Sequence, residues 1–224
     1  GRIRVIHRGV DVYRFNPDSV SAERIVQLAN AWRLTDGFPV IMLPGRLTRW
    51  KGQIEFIQAI AKINRRDIRC LVVGSDQGRL DYRKRLESIV EEYDLGEVVR
   101  IVEHCNDMPA AYMLSDVVVS ASVDPEAFGR VIIEAQALGR PVVATNHGGA
   151  RETILPLETG WLVAPGDVEA LASTLSEVLD LGPQSRAKLS KAAIKNVSSN
   201  FSKQKMCRQT LAVYNEILQA TETV

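Results

Sequence analysis

Six short apolar runs, rich in β-branched residues, punctuate the chain at positions 40–43, 69–73, 99–102, 117–121, 142–145 and 161–163. They are close to continuously apolar rather than alternating, the pattern of strands covered on both faces. Between them the period lengthens. Tyr82, Leu86, Ile89, Val90 and Tyr93 fall on one helical stripe. Val168, Leu171, Ala172, Leu175, Val178 and Leu179 form another, with Asp167 placed to cap its start. Strand–helix alternation over this length predicts an α/β domain. Its expected form is a doubly wound parallel, Rossmann-like sheet flanked by helices, with ligands bound beyond the carboxyl ends of the strands.

The two ends read differently. Positions 1–18 carry turn residues (Gly9, Asp11, Asn16, Pro17) around one expected short strand at 3–6, as a linker entering a domain does. The sheet domain is expected over 19–200 and a terminal helix over 201–224. From 182 to 220 the pattern is mostly helical, with Tyr214, Ile217 and Leu218 on one face. That face is expected to pack on the sheet or on something outside the chain.

Composition narrows the classes. Of 224 residues, 46% are hydrophobic and 25% charged, which suits a globular chain rather than a disordered one. Lys and Arg number 28 against 27 Asp and Glu, so the balance gives no electrostatic footprint for nucleic acid. No apolar run approaches the roughly 20 residues that cross a bilayer, and Arg2, Arg4 and Arg8 interrupt any apolar amino-terminal leader. Cys70, Cys105 and Cys207 are odd in number and far apart, which reads as reduced thiols of a cytoplasmic protein. His7, His104 and His147 do not cluster in sequence, and no metal site is expected.

Two segments carry candidate chemistry. The first, Gly45-Arg46-Leu47-Thr48-Arg49-Trp50-Lys51-Gly52, follows directly on the first apolar run. Gly45 permits a sharp turn there, and Arg46 and Lys51 are then aimed at the crevice. Two cations at a strand end suit a diphosphate, each charge-assisted hydrogen bond contributing about 1.5–3 kcal/mol. Standing alone, the segment reads as well as a solvated basic turn, and it lacks the Walker spacing.

The second segment runs from Asp124 to Ala135 and opens a helix to about Leu138, closed by Gly139 and Pro141. Free amides at Gly129, Arg130 and Val131 form a ready phosphate site. Glu126 stands just before the helix and Glu134 one turn inside it. The order suits a nucleotide-sugar: sugar at Glu126, phosphate at the amides, ribose at Glu134. Either acid alone reads as a complement to the helix dipole, worth about 0.3–1 kcal/mol. The pair, at this spacing after a strand, points to a ligand.

Here the sequence resembles a known family. Glu126-x7-Glu134, the GRLTRWKG turn, GRPVVATNHGGARE at 139–152 and TGWLVAPGDVEAL at 159–171 look like the retaining glycosyltransferases of the GT-B fold, group 1. The match is to the carboxyl-terminal, donor-binding half, with 1–18 similar to the segment that joins the two halves. The resemblance implies that Arg46 and Lys51 hold the donor diphosphate and stabilise the leaving group, in the place a metal takes in other glycosyltransferases. Glu126 then contacts hydroxyls of the transferred sugar, so Arg46, Lys51 and Glu126 are the catalytic candidates. Phe128, Gly129, Arg130 and Val131 offer backbone groups, Glu134 holds the ribose, and Gly45, Gly74, Val102, His104 and Met108 flank the nucleotide. The donor implied is a UDP- or GDP-sugar, with no further cofactor. The reaction implied is transfer of a hexose to a glycan or lipid-linked acceptor bound by the amino-terminal half, which lies outside this chain. The fragment alone is then expected to be inactive, and the full protein cytoplasmic, with peripheral association at a membrane's cytoplasmic face compatible with such an acceptor.

Two departures from the family pattern stand out: Ala127 where Gly is usual, and Glu103, an acid beside the expected base pocket, where Gly is frequent. Trp32, Trp50 and Trp161 read as packing residues, with Trp50 also able to cover a cleft. Other functions keep this fold. A non-catalytic nucleotide-sugar-binding module is one. A sugar-nucleotide epimerase is another, though it calls for different acid–base residues. A dinucleotide-binding oxidoreductase is a third, but it needs G-x-G-x-x-G after the first strand, and Gly74-Ser75-Asp76-Gln77-Gly78 has the wrong spacing.

Overall fold

A computed structural model describes residues 3–222. All six apolar runs are strands: β1 (Val40–Pro44), β2 (Arg69–Val73), β3 (Val99–Val102), β4 (Val117–Ser120), β5 (Val142–Thr145) and β6 (Trp161–Val163). β4 stops one residue short of the expected Ala121. The strands form one parallel sheet in the order β3-β2-β1-β4-β5-β6. The order reverses between β1 and β4, so the chain leaves these two neighbours in opposite directions and opens a crevice at their carboxyl ends.

Helices cover both faces: α1 (Ala22–Ala31), α2 (Gln53–Ile63), α3 (Leu80–Glu92), α4 (Met108–Leu114), α5 (Arg130–Ala137), α6 (Ala150–Thr153), α7 (Val168–Leu179), α8 (Pro183–Asn200) and α9 (Lys203–Glu222). The continuous apolar runs are explained by the pleat. Ile41, Leu43, Cys70, Val72, Val117, Val119 and Val143 enter one core with α2, α3 and α7. Their neighbours Val40, Met42, Leu71, Val73, Val118, Val142 and Ala144 enter a second core with α4 and α5. Alternate side chains point to opposite faces, and here both faces are dry. Asp167 caps α7 as expected, its carboxylate accepting from the Ala170 amide at 2.9 Å.

The ends depart from expectation. Residues 3–6 form no strand. Ile3 is 89% exposed, and the linker's backbone meets the domain at a parallel bridge, Val10 to Ser202. Val10 donates to the Phe201 carbonyl at 2.8 Å and Lys203 donates to that of Val10 at 2.8 Å. An apolar-looking run without a neighbouring strand has nothing to satisfy its backbone, so sequence pattern alone overcalled it. On α9, Tyr214, Ile217 and Leu218 are more than half exposed, so the sheet is not what that face packs against.

The β1–α2 connection is the tightest junction at the crevice. It makes a single 3₁₀ turn at Arg49–Lys51 and then passes through Gly52 at φ 73°. A Cβ on Gly52 would stand 1.8 Å from the Ala121 carbonyl oxygen at the end of β4. Beside it, the Val123 amide donates to the Trp50 carbonyl at 2.8 Å. We expect Gly52→Ala to destabilise the fold by about 2 kcal/mol or more, since both the left-handed backbone and the backbone contact oppose a side chain. Equilibrium urea unfolding that gives the wild-type midpoint for the variant would show the junction to be slack.

Candidate functional site

The loops that follow β1, β2, β3 and β4 meet over the carboxyl end of the sheet and enclose a cleft of about 320 Å³, within the range of small-molecule sites. Gly45, Arg46, Gly74, His104, Met108, Val131 and Glu134 all line it, together with Ser75, Cys105 and Tyr112. Backbone bonds fix the loops to one another: the Gly45 amide donates to the Val73 carbonyl at 2.9 Å and the Leu47 amide to that of Ser75 at 3.0 Å. Arg46 is held by its main chain. The buried Gln53 amide donates to the Arg46 carbonyl at 2.9 Å and accepts in turn from the Tyr82 hydroxyl at 3.0 Å. The Arg46 side chain is exposed, and no acid pairs with it among the described residues.

Lys51 is placed differently. Its Nζ stands 2.7 Å from Glu126 Oε1 and 4.4 Å from the centre of the Trp50 ring, with only 11% of the side chain exposed. The β4–α5 loop thus brings the predicted sugar acid onto the predicted phosphate cation. Glu126 is 25% exposed at its side chain, and its other oxygen accepts a long 3.4 Å bond from the Ser122 hydroxyl. Behind it, the Gly148–Gly149 turn lies flat on the loop. The Gly149 amide donates to the Glu126 carbonyl at 2.9 Å, and Cβ atoms on Gly148 and Gly149 would come within 2.2 Å of the Glu126 oxygen and 2.4 Å of Phe128 Cα. His147 Nε2 is 2.6 Å from the Ser122 carbonyl, a contact that requires the ring hydrogen there.

Glu134, one turn into α5, faces the cleft while remaining 92% buried, since only 8% of it is exposed. Tyr112 donates to its Oε2 at 3.0 Å and Arg130 to its Oε1 at 2.8 Å. Burial pushes the Glu134 carboxyl up, against the pull of Arg130, the Tyr112 hydrogen bond and, further off, Arg14. Tyr112 is fully buried, and burial beside Glu134 raises its phenol well above the ordinary value. α5 begins after Gly129 at φ 75° with no side-chain cap, so no capping side chain takes up its first amides.

Some expected residues stand apart. Val102, Phe128, Gly129 and Arg130 are not in the cleft lining, and neither are Lys51 and Glu126, which pair with each other outside it. Phe128 is buried against His7 and Phe201, with ring centres 6.1 and 5.9 Å away. Glu103 does not project into the cleft; it pairs with Arg83 and its side chain is 69% exposed. Sequence reading missed Tyr112, the hydroxyl that holds Glu134. Its signal was available, since Tyr112 sits on the short helix directly after the expected base loop. The reading also missed His7, whose Nε2 lies 2.5 Å from Glu152, tying the linker to the helix after the glycine turn. A larger depression of about 460 Å³ lies beside the edge strand β6 between Trp161, Glu177 and Lys188, and contains none of the candidate residues. Among the described residues there is no cluster of metal-ligating side chains, and no helix is long and apolar enough to cross a membrane.

Comparison with known proteins gives the family and the fold. Residues 27–196 match the family model of glycosyl transferases group 1. A D-inositol 3-phosphate glycosyltransferase of Corynebacterium urealyticum is 35% identical over 80% of this chain and 43% of its own length. The crystal structure of a glycosyltransferase from Rickettsia africae superposes with a TM-score of 0.94 at 37% identity, covering 97% of this chain and 57% of that one. Anabaena Alr3699/HepE, solved in complex with UDP-glucose, gives 0.87 at 29% identity over 95% and 57%. The chain therefore spans about half the length of the proteins it matches. With its parallel Rossmann-like sheet and its cleft at the β1/β4 reversal, this chain belongs to the glycosyl transferases group 1 family and has the fold of a GT-B carboxyl-terminal half.

Proposed function

We propose that this chain is the donor-binding half of a retaining glycosyltransferase that moves a hexose from a nucleoside-diphosphate sugar to a glycan or lipid-linked acceptor. One observation supports the reading: Arg46 and Lys51 follow β1 while Glu126 and Glu134 follow β4, so two cations and two acids flank the β1/β4 reversal, with Lys51 on Glu126 at 2.7 Å and Arg46 and Glu134 lining one cleft. The nucleoside occupies the cleft between Gly74, His104 and Met108, with its ribose hydroxyls donating to Glu134. The diphosphate lies across Arg46, Lys51 and the first amides of α5, and the sugar reaches Glu126. As the glycosidic bond breaks, charge grows on the departing phosphate, where fixed cations and amides stabilise it without reorganising. They supply the positive potential that a divalent ion supplies elsewhere. The UDP-glucose complex of Alr3699/HepE supports a nucleotide-sugar as ligand. The acceptor is held by the remainder of a longer protein, of the length its relatives have. The oxidoreductase alternative loses ground, because the Gly74–Gly78 stretch follows β2 rather than β1.

Three outcomes test the reading. Arg46→Ala and Lys51→Ala should each weaken nucleoside diphosphate binding by about 1.5–3 kcal/mol in titration calorimetry; wild-type affinity in both would remove the diphosphate from these residues. Ribose hydroxyls bind the ionised carboxylate, and Glu134's pKa lies above the usual carboxylate range. Nucleotide affinity should therefore fall on acidification, starting at a higher pH than an ordinary carboxylate would give, and Glu134→Gln should flatten that limb. Tyr112→Phe, by removing a bond that favours the charged form, should move the limb to higher pH, and a limb that stays put would uncouple the phenol from the site. Finally, the chain should bind UDP- or GDP-sugars but not NAD, with EDTA present, and should not turn them over. A requirement for magnesium, or steady transfer by this chain alone, would contradict the assignment.

A further inference from the structure

Lys51 and Glu126 are assigned above to different parts of one ligand, the diphosphate and the sugar, yet here they satisfy each other. The 2.7 Å ion pair is poorly screened, since 11% and 25% of the two side chains are exposed. The Trp50 ring beneath Lys51 Nζ, 4.4 Å away, favours the cation in that position. Arg46, on the same turn, has no acidic partner among the described residues. The two cations of the phosphate site therefore start from different states: one is free, the other is neutralised in place.

We propose that Glu126 has a second role, as the resident counter-ion of Lys51 that discriminates the sugar-bearing donor from the bare nucleoside diphosphate. The proposal rests on the donor-binding reading and adds to it. When a complete donor enters, phosphate oxygens replace Glu126 on Lys51, and sugar hydroxyls replace Lys51 on Glu126. Both groups exchange one charge-assisted hydrogen bond for another. A bare diphosphate completes half of that exchange. It takes Lys51 and leaves Glu126 with the long Ser122 contact and an unpaired charge beside a phosphate of like sign. Once the sugar has been transferred, Glu126 is again without its hydroxyl partners and competes for Lys51. The same carboxylate that engages the sugar thereby weakens the hold on the product and favours its release.

The sign of one substitution tests this. UDP and GDP serve as probes, with UDP-glucose and GDP-mannose as their sugar-bearing counterparts, in calorimetry on the wild-type chain, Glu126→Gln, Glu126→Asp, Lys51→Ala and the Lys51→Ala/Glu126→Gln double variant. Glu126→Gln should bind the bare diphosphate about tenfold more tightly, while the sugar-bearing donor gains nothing or weakens. Glu126→Asp, with its shorter reach, should fall between Gln and wild type and guards against a fold defect in the first variant. Without Lys51 the gain should vanish, because the interaction is pairwise. Bare-diphosphate affinity that is unchanged or lower in Glu126→Gln, with Arg46-dependent binding intact, overturns the counter-ion role and leaves the donor reading standing. Failure of the wild-type chain to bind any of the four nucleotides overturns both.

Discussion

Everything at the crevice depends on how closely the chain leaving β1 approaches the chain leaving β4. At Gly52 the two backbones meet without a side chain between them, and the Trp50 carbonyl is bonded to Val123 on the far loop. That approach sets the distance between a lysine on one loop and a glutamate on the other. It follows from topology: adjacent parallel strands whose connections run opposite ways must part at their carboxyl ends. The protein keeps the gap narrow at its floor and opens it above, where Arg46 and Glu134 line the cleft.

The two acids of the motif occupy contrasting surroundings despite lying eight positions apart. Glu134 is buried between a phenol and a guanidinium, with two short bonds that fix its orientation. Glu126 is a quarter exposed at its side chain and rests on a cation. A rigid acid suits the part of a nucleotide that does not change during a reaction.

The strands were legible because the central ones are dry on both faces, which erases alternation and leaves unbroken β-branched runs such as 117–119. The candidate cations and acids were legible because each follows a strand at a spacing that chemistry can use. Three things were not. The linker's apolar positions looked like a strand, but pairing is a property of neighbours, and Ile3 has none beside it. Trp50 reads from sequence as a packing residue also able to cover a cleft, and what the pattern does not show is that its ring lies against the Nζ of the adjacent lysine. Glu103 looked like a base-pocket residue from position alone, yet Arg83, twenty residues earlier on α3, draws it outward. For the linker and for Glu103 the deciding neighbour, absent in one case and present in the other, belongs to another part of the chain.

The flat stacking of Gly148–Gly149 on the Glu126–Phe128 segment has a kinetic meaning. The Gly149 amide hydrogen is held by the Glu126 carbonyl, and neither glycine carries a side chain that would hold the two backbones apart. Solvent reaches that hydrogen only when the two loops separate, so they share one opening event. His147, bonded to Ser122, joins the same unit. The Glu126 end of the crevice is therefore a single cooperative element, spanning the exits of β4 and β5, rather than two loops that fray independently.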